Sequence, residues 1–240
     1  MNPAYYHWFI VWSILLFGAA LSVWKRKLTS LAAAGAVVVG LGVYVGCGYT
    51  GLAMLAVFFA LATLATAHRR TLKAQLTAKP KHQERRKLGQ VMANGGVPAA
   101  LGVLSCLFPA HSPMFNLMLA GAVASATADT LSSELGMVYG RNTFNILTGK
   151  REPAGLDGVI SIEGTLLGLA GAVVIALIYM TTVGSNIQVI VVILAGVIGN
   201  LADSVIGAAW ERKRYLGNDA VNILNTLIAA LAAFAIYWFL

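Results

Sequence analysis

LAGAVASATADTLSSELG (residues 119–136) begins as a run of small apolar residues and ends in Asp129, two serines and Glu134. The first part has the composition of a membrane helix, yet the last turns carry two of the nine acids in a chain of 240 residues. Whether this stretch crosses a bilayer decides the fold. The sequence around it is 58% hydrophobic and 11% charged, with a mean hydropathy of +0.76. A soluble domain carries about a quarter of its residues as charges. Apolar runs of about 20 residues, the length needed to cross a ~30 Å hydrocarbon core, recur eight times. They fall at approximately 4–24, 28–46, 50–67, 90–108, 115–136, 158–180, 187–209 and 219–240. Strand-like alternation is absent, so a barrel is not expected. The sequence predicts an all-α polytopic protein forming one integral membrane domain over 1–240. It comprises three N-terminal spans (1–67), a basic loop (68–89) and a five-span core (90–240).

The cations orient this bundle. All 17 lysines and arginines fall in four places: Lys25, Arg26 and Lys27; the stretch from Arg69 to Lys87; Arg141, Lys150 and Arg151; and Arg212, Lys213 and Arg214. These segments follow the first, third, fifth and seventh spans. The loops between them hold none, so the positive-inside rule puts the basic loops in the cytoplasm and both termini outside. The pI of 9.7 therefore reports topology and gives no reason to invoke nucleic acid. The first span has its cations after the apolar run, so it reads as a retained helix and not as a signal peptide. Cys47 and Cys106 fall toward the outer side and read as packing residues.

On this topology every acid belongs to the cytoplasmic side. Asp129 and Asp203 end the fifth and seventh spans; Glu163 and Asp219 begin the sixth and eighth. A charge at membrane depth costs a few kcal/mol, which makes function the default hypothesis. The bland alternative is an acid that snorkels to water from the last helical turn. Convergence argues against it. Residues 119–136 resemble LAGVIGNLADSVIGAAWE (194–211), and FNILTG (144–149) resembles VNILNT (221–226), an internal repeat of parallel orientation joining spans five and six to seven and eight. Ser125, Asp129 and Ser133 share a helical face; so do Gly199, Asp203 and Gly207, and Asn218, Asn222 and Asn225 line a third. Asn94 precedes Gly95, Gly96 and Pro98, which are expected to loosen or break the fourth span. The loop GRNTFNILTGKREPAGLDGVISIEGT (140–165) combines glycines with Arg141, Lys150 and Arg151, a combination suited to phosphate but also to an ordinary positive-inside loop.

Carboxylates, amides and cations at a membrane–water boundary suit Mg²⁺ shared with substrate phosphates, and phosphoryl transfer needs positioning and charge more than covalent chemistry from the protein. His7, His68, His82 and His111 lack zinc-ligand spacing, and no serine or cysteine nucleophile pattern is present.

Five ordered motifs, QVMANGGVP (90–98), ADTLSSELG (128–136), GLDGVISIEGT (155–165), GNLADSVIGA (199–208) and NDAVNIL (218–224), resemble the eight-span integral membrane family that includes the plant chloroplast phytyl-phosphate kinase and an animal transmembrane protein. The resemblance covers roughly residues 87–226. Ala128 stands where the family has glycine, and the segment between the last two spans is shorter than in the animal relative. The resemblance implies a kinase that converts an isoprenyl monophosphate to the diphosphate with a nucleoside triphosphate, CTP or ATP, and its matches fall on Asn94, Asp129, Ser133, Glu134, Asp157, Ser161, Asp203, Ser204, Asn218, Asp219 and Asn222. On this expectation Asp129, Asp203 and Asp157 hold Mg²⁺, while Asn94 and Lys150 join the two repeat aspartates in catalysis. Arg141, Arg151 and Glu163 complete the substrate and nucleotide contacts. The rival expectations are a transporter or flippase of a phosphorylated lipid or a cation, and a nucleotidyltransferase making a CDP-linked lipid. Transport calls for polar residues through the full membrane depth, whereas here the outer half is nearly bare of them.

Overall fold

The structure, a computed structural model, describes residues 3–76, 85–184 and 186–239; Lys79, Lys81, His82 and Glu84 of the basic loop lie outside the described residues. Its helices are α1 (Pro3–Trp24), α2 (Ser30–Ala67), α3 (Arg70–Leu76), α4 (Leu88–Leu107), α5 (Ser112–Tyr139), α6 (Ile162–Val183), α7 (Ile187–Ile206) and α8 (Asn218–Trp238). A π-turn at Gly207–Glu211 extends α7, and a two-stranded antiparallel pair, β1 (Phe144–Asn145) with β2 (Val159–Ile160), ties the loop between α5 and α6. Among the described residues seven helices are long and apolar enough to cross a membrane. The protein is all-α and polytopic.

The seventh and eighth expected spans are α7 and α8, but the second and third are one helix by hydrogen bonding. At 38 residues α2 would run about 57 Å if straight, nearly twice the hydrocarbon core. It is not straight. A Cβ placed on Gly51 would lie 2.6 Å from Val43 Cγ1, although residues eight apart in a straight helix are ~12 Å apart. The chain reverses at Gly48, whose φ of 56° and ψ of −146° suit glycine alone. The arms 30–47 and 49–67 thus lie side by side and return to the same end of the bundle. There Thr29 N donates to Arg86 O (3.1 Å) and Arg86 N to Lys27 O (2.9 Å).

The sequence leads to a break in the fourth span, yet α4 is continuous through Pro98. The glycines serve approach between helices instead. A Cβ on Gly95 would lie 2.6 Å from Val39 Cγ1, one on Gly46 2.6 Å from Gly102 O, and one on Gly102 would run into Gly42 O. Backbones meet this closely in membranes because small residues permit it.

At the centre stands α5, two-thirds buried, against 6% for α1, which flanks the bundle with Phe9, Phe17 and Trp24 facing outward. The unbroken buried run of α5 from Leu117 to Ala128 contains mostly alanine, glycine and valine, so α4, α6, α7, α8 and α2 all pack on it. The internal repeat is visible as packing. Gly121 meets Ala195 and Gly199 meets Ser125, so α5 and α7 pack closely through small residues, and the aspartates that the two copies share, Asp129 and Asp203, meet each other. The Asn-Ile-Leu part of the repeat has no such equivalence, because Asn145 lies in β1 and Asn222 in the first turns of α8.

Candidate active site

Where the two copies of the repeat end, the helices part around a cavity of about 700 Å³. Asp129 and Asp203 enter it from α5 and α7 with their carboxyl groups in contact, and Glu211 and Glu134 are the next acids in Asp129's field. Asp203 is aimed by its neighbours. Asn225 Nδ2 donates to its Oδ1 (2.8 Å), and the fully buried Asn225 in turn accepts from Ser125 Oγ (3.0 Å). This chain of bonds ties α5, α8 and α7 together beneath the site. A second link, Ser132 Oγ to Asn200 Oδ1 (2.9 Å), joins α5 to α7 above it.

Asn94 reaches the cavity from α4. Its Nδ2 donates to Gln90 O (3.0 Å), while its Oδ1 is buried without a partner among the described residues. Pro98, four residues on, also removes the helical donor that the backbone carbonyl of Asn94 would otherwise receive. An unpartnered buried acceptor is costly unless something fills it.

The loop 140–161 forms the opposite wall. Residues 154–160 line the cavity, and Gly155 and Gly158 hold φ of 87° and 74°. Gly158 lies against the π-turn, where a Cβ would come 2.6 Å from Ala208 N. Arg212 clamps this wall, donating from Nε to Asp157 O (2.6 Å) and from Nη2 to Glu152 Oε2 (2.5 Å). That pairing holds the Glu152 carboxyl below the usual carboxylate range.

Most of the residues expected from sequence meet here: Asn94, Asp129, Ser133, Glu134, Asp157, Ser161, Asp203, Ser204, Asn218, Asp219 and Asn222 all line the cavity. Several have prior commitments. Ser161 caps α6 through Gly164 N (3.0 Å), and Ser204 and Ser133 donate back to Asn200 O and Thr130 O. Asp219 lies with its Oδ2 against Gly89. Four expected residues stand elsewhere. Lys150 and Arg151 are exposed on the hairpin, and the backbone N–H of Arg141 meets Glu163 Oε2 (3.4 Å) outside the cavity. Among the described residues the cations that do line the cavity are Arg86 and Lys87, just before α4, in the basic stretch for which the sequence favours a topological role over headgroup binding or donor steering. Burial draws the Arg86 guanidinium below its usual range, and the charge of Glu134 opposes that.

Glu134 itself has a partner that periodicity does not reveal. The fully buried Lys73 of α3 donates to Glu134 Oε2 (2.5 Å), Ala65 O (2.8 Å) and Thr66 O (2.9 Å), closing the end of α2. Thr66 Oγ1 donates to Glu134 Oε1 (3.0 Å).

The donor set fits a hard divalent cation. Two facing carboxylates repel unless a cation or proton lies between them, and a buried amide oxygen without a partner lines the same cavity. Among the described residues no group of three or more His, Cys, Asp or Glu side chains is arranged to hold a metal, so Asp157 does not complete a three-acid set with Asp129 and Asp203. Two carboxylates are enough for Mg²⁺ when phosphate oxygens and water fill its remaining positions.

The fold and cavity define an integral multi-pass membrane protein with an acid- and amide-lined site at the charged end of its bundle. The chain belongs to the family described as "Integral membrane protein DUF92", whose model matches residues 13–230. It is 34% identical over 216 residues to "Uncharacterized membrane protein MJ0933" of Methanocaldococcus jannaschii, covering 89% of this chain and 87% of that protein. It is 30% identical over 239 residues to "Protein VTE6, chloroplastic" of Arabidopsis thaliana (95% and 70%), and 33% identical over 230 residues to "Uncharacterized membrane protein sll0875" of Synechocystis (93% and 88%). No solved structure gives a significant match.

Proposed function

We propose that this protein is a membrane-embedded kinase that phosphorylates an isoprenyl monophosphate to the diphosphate, using a nucleoside triphosphate and Mg²⁺ at the cytoplasmic face. The observation that carries the proposal is the facing pair Asp129 and Asp203, brought together by the two repeats at the inner edge of a polar cavity. The five-motif resemblance to the family of the phytyl-phosphate kinase, and a chloroplast protein among the relatives, support it.

Asp129 and Asp203 would hold the magnesium ion, which supplies charge neutralisation between the two phosphates when bound. Asn222 presents an amide donor that orients phosphate oxygens, and Asn94 contributes the Nδ2 proton that Gln90 O does not take, its buried Oδ1 being left to face a cation. The acceptor's phosphate oxygen is already an anionic nucleophile, so no strong general base is required. It forms a bond to the γ-phosphorus as the bond to the β-phosphate oxygen breaks, and nucleoside diphosphate leaves. The wall 154–160, held by Arg212, bounds the site on one side. The prenyl chain stays among the apolar helices while its phosphate meets the soluble donor at the rim.

The test is substitution of either aspartate in protein reconstituted into liposomes. Asp129→Asn and Asp203→Asn keep the size and hydrogen-bonding reach of the side chain, so both proteins fold, and each loses transfer by a factor of 10³ or more. An active Asp129→Asn protein contradicts the assignment. Release of pyrophosphate in place of nucleoside diphosphate replaces the kinase by a nucleotidyltransferase.

A further inference from the structure

A cavity that takes two phosphorylated ligands must offset their charge, yet six acids line this one: Asp129, Glu134, Asp157, Asp203, Glu211 and Asp219. The cations expected from sequence, Lys150 and Arg151, point to solvent from the hairpin. Among the described residues lining the cavity only Arg86 and Lys87 are positive. We infer that Arg86 and Lys87 are the cations that bind phosphate in this site. The inference rests on the reading above and names the part of the cavity that takes the anion.

Three features of the structure support it. First, the position is built. The bonds Thr29 N to Arg86 O and Arg86 N to Lys27 O form a bridge between two loops far apart in sequence, and that bridge sets where both side chains start. A pair of basic residues serving only to fix topology has no need of such an anchor. Second, Arg86 is held in place but not used up. Its guanidinium lies 5.6 Å from the centre of the Phe59 ring, and its side chain makes no hydrogen bond or ion pair among the described residues. The acid nearest to it in charge, Glu134, is already taken by Lys73 and Thr66. Arginine presents its donors as a rigid fork that matches two oxygens of one phosphate. Third, the surroundings are amphipathic. Phe59 packs with Val91 on the cluster of Leu28, Ala32 and Ala33, so Arg86 caps apolar packing on one side and faces the polar cavity on the other. A phosphate carried on a hydrocarbon chain fits that boundary.

The shared chemistry is a terminal phosphate with two or more free oxygens, a monoester on the lipid acceptor and an anhydride on the nucleotide donor. The experiment is equilibrium binding to the purified full chain in detergent, with inorganic diphosphate as the probe. Arg86→Gln is expected to weaken diphosphate binding about tenfold or more, the effect of one charge-assisted contact, and Lys87→Gln to weaken it less, since that side chain is exposed. Arg86→Lys restores part of the loss because charge returns without the fork. Lys213→Gln, in an exposed turn, leaves binding unchanged. Repeating the titration with farnesyl monophosphate in micelles and with CTP separates the sources: the ligand whose affinity falls with diphosphate is the one these cations hold. Lys87 touches no core, so its variant keeps the test open if Arg86→Gln folds poorly. Unchanged diphosphate affinity in the folded Arg86→Gln and Lys87→Gln proteins overturns the inference. Binding needs no turnover, so an inactive protein that binds diphosphate through Arg86 removes the kinase reading and leaves this one standing.

Discussion

Replacing Lys73 by methionine tests a fully buried charge. The ammonium group is fully buried, and it gives one bond each to Ala65 O and Thr66 O and an ion pair to Glu134. Methionine fills nearly the same volume, so the effect is electrostatic and not a cavity. Among the described residues Glu134, whose side chain is 15% exposed, keeps Thr66 and the more distant charge of Arg86. Breaking a buried pair from one side costs about 3–5 kcal/mol, since the remaining charge stays desolvated; the two carbonyls that lose a donor account for ~1 kcal/mol each within that. If the cost lies in the stranded carboxylate, removing its charge recovers part of it. The double variant Lys73→Met/Glu134→Gln should therefore be more stable than Lys73→Met alone, with a coupling of about 2 kcal/mol in a double-mutant cycle. Reversible unfolding in mixed micelles, followed by helical circular dichroism, measures all four corners. A loss under about 1 kcal/mol for Lys73→Met, or additive single effects, refutes the idea that α3 anchors the acidic wall of the cavity.

Other outcomes follow from the same geometry. Gly102→Ala drives a methyl group into the Gly42 carbonyl and should cost about 1–3 kcal/mol by separating α2 from α4, whereas Gly96→Ala meets nothing nearer than Met92 Cε at 3.9 Å and should be neutral or slightly stabilising; thermal unfolding of both distinguishes them. Asn225→Ala leaves Ser125 without its acceptor and Asp203 without its guide, so activity should fall roughly 10- to 100-fold while stability drops by about 1–3 kcal/mol, read from paired turnover and unfolding measurements. Glu152 has its carboxyl held low by Arg212 in the folded state, so its contribution is complete above the ordinary carboxylate range and is lost as pH falls through the lowered value. Unfolding curves between about pH 5 and 3 should show the wild type losing stability that Glu152→Gln does not lose.

The span pattern was legible because lipid demands long apolar helices, and six of the expected spans appear as separate helices. The hairpin at Gly48 was legible as two apolar runs, though not as one hydrogen-bonded helix, because a glycine-only conformation leaves no mark on hydropathy. Asp129 and Asp203 could be found from sequence since the repeat marks both and their rarity singles them out. Arg86 and Lys73 could not. They sit in a basic stretch whose charge the positive-inside rule is enough to account for, and their placement depends on a bridge near Lys27 and on a contact 61 residues away along the chain. Asn200 was equally hidden, because one amide on a glycine-rich helix face has no periodic signal until Ser132 is seen across from it. Lys150 and Arg151 show the reverse case: glycines beside basic residues suggested a phosphate loop at the cavity, whereas Asn145 uses its side chain to fold that segment into a hairpin turned toward solvent, accepting from Leu147 N and Thr148 N.

The central claim is transfer of a phosphoryl group at the Asp129–Asp203 pair, and the most direct measurement supplies purified protein in detergent with Mg²⁺, γ-labelled CTP or ATP, and prenyl monophosphates of several lengths. The account predicts labelled prenyl diphosphate and an equal amount of nucleoside diphosphate, both absent with Asp203→Asn. Folded wild-type protein that forms no labelled lipid with any donor or acceptor contradicts it.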